Sequence, residues 1–173
     1  WFRRSDKLVC AIIGRDHPMK GYDVLSAALE REEFSDVISS VLIFGDVKNR
    51  GQFSFRNGKF MGRFPQSELW DKVIAEVDLV LCPSQWGEGR SNVLVESWLA
   101  GVPCFATRVG DNALYLSDFF LVDFDLGDLV WKIRHLAAND HNSRKLISDQ
   151  IKYISEKVSA DSDDLVRFLN ACY

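Results

Sequence analysis

Two pairs of side chains in this sequence carry chemistry by their type and spacing. Glu88 and Glu96 lie within SQWGEGRSNVLVESWLAGVP (84–103), and Arg15 and Lys20 lie within GRDHPMKG (14–21). Two cations in a short loop suit a phosphate or diphosphate. Lys20 falls where a helix begins, a place that disfavours a cation for the helix's own sake but attracts phosphate. The helix end is worth ~0.3–1 kcal/mol. One ion pair at ~4 Å and an effective dielectric of ~20 is worth about 4 kcal/mol before desolvation. Arg15 and Lys20 would therefore dominate anion binding, with the helix end in support. Spacing alone also suits two solvated loop cations, and His17 between them suits a solvated loop residue.

The carboxylates divide. Glu88 just precedes a helix N-terminus, where a negative charge is favourable in itself. Glu96 sits inside the mostly apolar run NVLVESWLA (92–100), beside Asn92, Val93, Leu99 and Ala100 at helical spacing. Burial there without a partner would be costly. If Glu96 faces a crevice instead, it can accept hydrogen bonds from paired hydroxyls such as those of a ribose. Gly87 and Gly89 permit close backbone approach to a ligand.

The elements that must position these residues alternate. Apolar runs at 7–14, 38–46, 58–64, 78–84, 102–108 and 119–124 read as strands. Helical spacing occupies 20–33, 67–77 and 92–100, with one turn near 113–118. Residues 47–57 are polar and turn-rich. Beyond Gly127 three helices are expected, the last two beginning near Ser143 and Asp163. Strands that are almost wholly apolar and alternate with helices imply an α/β, doubly wound parallel sheet, Rossmann-like, of about six strands in the order 3-2-1-4-5-6, with extra helices at the C-terminus. No linker or repeat divides residues 1–173, which read as one domain. Ligands of such sheets bind beyond the carboxyl ends of the strands, where strand order reverses. The loops carrying Arg15 and Glu88 should therefore face each other across one crevice.

Composition bounds the function. The chain has 173 residues, 47% hydrophobic and 12% aromatic, enough for a real core. A net charge of −4 gives no electrostatic footprint for nucleic acid or anionic membrane. No apolar run reaches the ~18 residues of a transmembrane segment, and no signal peptide is read. Cys10, Cys82, Cys104 and Cys172 form no CxxC pair. The first three lie in strand-like runs and read as buried, reduced thiols of a cytoplasmic protein. The histidines are scattered, so no metal is expected. Neither GxGxxG nor GxxxxGK[ST] follows the first strand, which argues against a dehydrogenase and a P-loop NTPase. The chain opens on WFRRSDK without an initiator Met, as a piece of a longer protein would.

Two glutamates at this separation are weak evidence alone; the frame around them is specific. GRDHPMKG, then IFGD, then CPSQWGEGRSNVLVES, then AGVPCFATRVGDN, in order from Val9 to Asn112, resembles the carboxy-terminal, donor-nucleotide-binding domain of retaining GT-B glycosyltransferases of family 4. The resemblance includes that family's pattern of Glu, seven residues, Glu. It implies that Arg15 and Lys20 hold the diphosphate of a nucleotide-diphosphate-sugar donor and that Glu96 binds the ribose hydroxyls. Glu88 would lie beside the transferred sugar as the catalytic residue. Backbone at Gly89, Arg90 and Ser91 would approach sugar and phosphates, and backbone near MGRF (61–64) would touch the base. No cofactor is implied. The acceptor, a glycan or lipid-linked saccharide, would be held by an amino-terminal domain not in this chain, without which the chain would be inactive. Any contact at the inner membrane face would also belong to that domain.

The sequence departs from the family pattern in places. Ser97, Trp98 and Leu99 replace a usual Ala-Met-Ala and read as packing changes. Leu114 stands where the family often has Glu, so no donor contact is assigned there. Asp123-Phe124-Asp125 matches the Asp-x-Asp string of metal-dependent transferases, but with 17 aspartates in the chain it reads as a solvated turn. A sugar-nucleotide epimerase of the same architecture and a non-catalytic nucleotide-binding module remain alternatives.

Overall fold

The computed structural model describes residues 7–15, 17–48, 57–86, 89, 91–124, 126–138 and 140–172. Its strands are β1 (Leu8–Ile13), β2 (Ile38–Phe44), β3 (Gly58–Gly62), β4 (Leu79–Cys82), β5 (Cys104–Thr107) and β6 (Leu121–Val122). They pair in parallel in the order β3-β2-β1-β4-β5-β6, the order expected. Every residue of β4 and β5 is buried, as strands covered on both faces must be. Asp78 ties the two strands at the reversal point together. Its carboxylate accepts the Val9 N–H at 2.9 Å, and its own N–H donates to the Val9 carbonyl at 2.8 Å.

The helices are α1 (Tyr22–Leu29), α2 (Glu32–Ser35), α3 (Gln66–Glu76), α4 (Asn92–Leu99), α5 (Asn112–Tyr115), α6 (Leu129–Ala137) and α7 (His141–Cys172). The connections β3→β4 and β4→β5 cross the sheet in the same direction. Right-handed crossovers therefore put α3 and α4 on the same face, where α4 packs against α7. On the other face Leu25 of α1 lies with Leu126 and Leu129 over β4 and β5.

Three elements differ from expectation. The helix expected over 20–33 is split, because Arg31 is extended and α2 starts afresh. An unbroken helix would carry Phe34 about two and a half turns past Leu25, onto the opposite face. The break lets both side chains enter the core, where Leu25 is 0% and Phe34 1% exposed. The strand expected at 119–124 shrinks to two residues. Phe119 and Phe120 belong to a 3-10 turn, and Phe120 packs edge-on against Trp98 at 4.6 Å. The last two expected helices are one helix of 32 residues. The hydroxyls of Ser155, Ser159 and Ser162 each bond the carbonyl four residues back, so the serines join the helix rather than compete with it.

Cys10, Cys82 and Cys104 are free and buried. Burial, with the Asp78 carboxylate added, pushes the Cys10 thiol well up. Burial and contact with Cys82 do the same for Cys104. Cys10 and Cys104 are therefore poor nucleophiles.

Asp140 starts α7 by accepting the Ser143 N–H at 2.8 Å, and that bond holds its carboxyl below the ordinary 3.8. A depressed folded-state pKa contributes stability above the unfolded value, lost as pH falls through the folded one. Asp140→Asn is expected to keep the cap but flatten this acid limb, whereas Asp140→Ala should lower the melting temperature at neutral pH. Thermal melts from pH 2 to 7 check both. Identical curves for all three proteins would refute the cap.

Candidate functional site

The loop after β1 turns through a 3-10 turn, Pro18–Lys20, into α1. His17 is exposed, and its Nδ1 accepts the Met19 N–H at 3.2 Å, so it caps the turn. Lys20 closes the turn, half-buried, two residues before the first residue of α1, the position read for it in the sequence. Gly21 follows at φ +64. A Cβ there would lie 1.9 Å from the Pro83 carbonyl oxygen, so only glycine lets this loop close on the loop after β4. The Gln85 N–H donates to the Met19 carbonyl at 2.8 Å, joining the same two loops. The expected meeting of these loops is thus made by backbone. From the other side the Thr107 hydroxyl donates to the Ser84 carbonyl, and Asn112 Nδ2 donates to the Thr107 carbonyl at 3.0 Å.

Arg15 is exposed and lines a cavity of about 450 Å³ at the carboxyl edge of the sheet. Ile13 at the end of β1 with Gly14 beyond it, Phe44 at the end of β2 with Gly45 and Asp46 beyond it, and Arg63 and Phe64 after β3 form its walls, with Leu69 of α3. The cavity therefore lies over β1, β2 and β3, to one side of the gap between β1 and β4. Gly45 lets the ends of β1 and β2 approach one another. A Cβ there would fall 1.7 Å from the Gly14 carbonyl oxygen, so the strand ends come together. Phe44 and Phe64 supply an apolar wall, their rings 5.8 Å apart. Two guanidiniums and one carboxylate supply the polar groups. An apolar wall with a few convergent charges is the chemistry of a small polar ligand site.

Glu96 lies on α4 and is half-buried. Its Oε2 accepts the indole N–H of Trp70 at 3.1 Å. The carboxylate that looked misplaced in an apolar run thus has a charge-assisted partner. It does not itself line the cavity, but Leu69, the residue before its partner, does. Ser91 is the buried N-cap residue of α4 and makes no side-chain cap bond. Gly89 is exposed, with Asp111 Oδ2 3.9 Å from where a Cβ would stand. Glu88, Arg90 and Gly87 lie outside the described residues. So do Asp125 of the Asp-x-Asp string and residues 49–56 of the polar segment. Asp123 and Phe124 are exposed in a turn. Ser97 and Trp98 are buried and bond the carbonyls of Val102 and Cys104, at 2.7 and 3.2 Å, which accounts for them as packing changes. Leu99 is exposed instead.

Trp70, Asp46 and Arg63 join the site without having been picked out individually in the sequence. IFGD and MGRF carried Asp46 and Arg63 as parts of a pattern. Nothing local marked Trp70, whose partner is 26 positions away.

The family model described as glycosyl transferases group 1 matches residues 7–139. The chain belongs to this family. The matched span holds the whole sheet and both loops that meet at the site. A comparison with curated proteins gives no match to this transferase chain. Among solved structures it is similar to Anabaena HepE in complex with UDP, at 18% identity and TM-score 0.75, over 96% of this chain and 49% of that one. It is similar to S. aureus TarM, solved with Fondaparinux, alpha-GlcNAc-glycerol and UDP, at 22% identity and TM-score 0.76, over 95% and 35%. It is also similar to the catalytic domain of the Helicobacter pylori cholesterol-alpha-glucosyltransferase, at 15% identity and TM-score 0.67, over 87% and 98%. The group 1 chain therefore spans about half the length of HepE and a third of TarM. Among its described residues no helix is long and apolar enough to cross a membrane.

Proposed function

We propose that this chain is the donor-nucleotide half of a two-domain, GT-B, retaining glycosyltransferase of the family 4 type. It binds a nucleotide-diphosphate sugar and, with an amino-terminal domain, transfers the hexose in the cytoplasm to a glycan or lipid-linked acceptor. The observation that carries the reading is the cavity with Arg15 at one wall, in a chain whose family match covers both site loops. The base takes the apolar end near Phe44, Arg63 and Phe64. Glu96 accepts from the ribose hydroxyls. Arg15 and Lys20 hold the diphosphate, with backbone at Gly89, Arg90 and Ser91 near phosphate and sugar. Glu88 lies beside the transferred sugar.

In the reaction the bond from the anomeric carbon to the phosphate oxygen breaks, a bond from the acceptor hydroxyl oxygen to that carbon forms, and the hydroxyl proton passes to the departing diphosphate. Negative charge grows on the departing diphosphate. Fixed cations beside it stabilise the transition state more than the ground state. The acceptor must be held at near-attack distance, which is the task of the other domain; without it this half is inactive.

UDP accompanies HepE and TarM and is the first nucleotide to test. Calorimetry on the intact protein is expected to show UDP binding that weakens about tenfold in Glu96→Gln, one charge-assisted bond of ~1.5–3 kcal/mol being lost in part. Its melting temperature should hold, since Gln still accepts from Trp70. Glu88→Gln should leave UDP affinity within about twofold but lower turnover with a UDP-sugar about a hundredfold or more, by ~2.7 kcal/mol or more. Intact affinity with a collapsed melting temperature in Glu96→Gln would make that carboxylate a structural residue and defeat the assignment.

A further inference from the structure

We propose that Trp70 is a positioning residue that sets how strongly the site prefers a ribonucleotide over its 2′-deoxy counterpart. The inference rests on the reading of Glu96 as the ribose acceptor and goes beyond it. Trp70 sits on α3 and Glu96 on α4, neighbours on one face of the sheet because both crossovers run the same way. Trp70 is half-buried and packed against the core, so its ring is held. Its Nε1–H donates to Glu96 Oε2 at 3.1 Å.

The indole is a donor only, and an ionised carboxylate is an acceptor only, so the polarity of this bond cannot reverse. The last torsion of a Glu side chain is broad and two-fold. An isolated Glu96 would therefore present its oxygens over a wide range of planes. Pinning Oε2 from the α3 side fixes that plane. A vicinal diol needs two acceptor positions in a set orientation, so it gains most from a fixed plane. A sugar lacking the 2′-hydroxyl offers a single donor, which can find an oxygen in many orientations. Leu69, adjacent to Trp70, lines the cavity that holds Arg15. The α3 turn thus links the wall of the cavity to the orientation of the carboxylate.

The test is calorimetric titration of the intact protein with UDP and with 2′-deoxy-UDP, in wild type, Trp70→Phe, Glu96→Gln and the double variant. The expected result is that Trp70→Phe lowers the UDP preference about five- to tenfold while leaving 2′-deoxy-UDP affinity within about twofold. The double variant should discriminate no worse than Glu96→Gln alone, because both changes act on one interaction. An unchanged preference in Trp70→Phe, with a reduced one in Glu96→Gln, would make Trp70 a packing residue and overturn the proposal. An unchanged preference in Glu96→Gln would remove the ribose reading itself. Should Trp70→Phe not fold, the indole N–H resonance of Trp70 in the wild-type protein decides. It should shift more on saturation with UDP than with 2′-deoxy-UDP, and equal shifts would overturn the proposal.

Discussion

Replacing Arg15 and Lys20 together by alanine is expected to weaken UDP binding to the intact protein about a hundredfold or more, while uridine binding stays within about twofold. Each cation would make at least one charge-assisted bond to the diphosphate, worth ~1.5–3 kcal/mol. Two such bonds amount to roughly 3–6 kcal/mol, and about 1.4 kcal/mol is tenfold in affinity. Arg15 is exposed and Lys20 half-buried, so salt screens part of this. The difference between wild type and variant should accordingly shrink at high ionic strength, because the wild-type affinity falls and the variant's falls less. The fold should not suffer. Arg15 lines the cavity with its side chain exposed, and Lys20 ends a short turn outside the core. Calorimetry with both ligands at two salt concentrations is the measurement. Equal losses for uridine and UDP would contradict the diphosphate assignment, whatever the salt dependence.

Gly21→Ala is expected to do the opposite: to damage the fold and through it every ligand. The added methyl would stand 1.9 Å from the Pro83 carbonyl oxygen and 2.9 Å from Gln85 Nε2. The side-chain amide can move; the carbonyl cannot, because β4 ends one residue before it. The left-handed backbone alone costs an alanine ~1–2 kcal/mol. Prying the two loops apart would also lose the bond from Gln85 N–H to the Met19 carbonyl, worth ~0.5–1.5 kcal/mol. Together with the overlap itself this is about 3 kcal/mol or more. For a chain of this size that lowers the melting temperature by roughly 6–12 °C. Gly89→Ala is the matching control. Among the described residues its nearest neighbour would be Asp111 Oδ2 at 3.9 Å, ordinary contact, so it should melt within about 1–2 °C of wild type. A Gly21→Ala protein that melts like wild type would mean that the loops after β1 and β4 are not held together, and the site as described would fall.

Much of this protein is determined by the one-dimensional pattern. Apolar runs such as LVCAII and CFAT read as strands buried on both faces, and their alternation with helices implies a parallel, doubly wound sheet. The doubly wound arrangement carries its own strand order, and with it the meeting of the loops after β1 and β4 that carry Arg15 and Gln85. What periodicity could not supply was anything requiring two elements to be compared in space. The break at Arg31 was hidden because Phe34 is compatible with a helix locally and incompatible only with the core that Leu25 already occupies. The turn at Phe119 and Phe120 was hidden because aromatic residues suit a strand. Their rings instead take the space beside Trp98 and Phe105. The continuity of α7 through its serines depended on hydroxyls bonding backward rather than capping. Glu96 shows the division most clearly. Its sequence neighbours made it a charge in the wrong place, because helical spacing reports only neighbours on the same helix. Its partner is the Trp70 indole on another helix, brought alongside by the handedness of two crossovers. A charge is tolerated among apolar residues when a donor reaches it, and only the tertiary structure decides which donor that is.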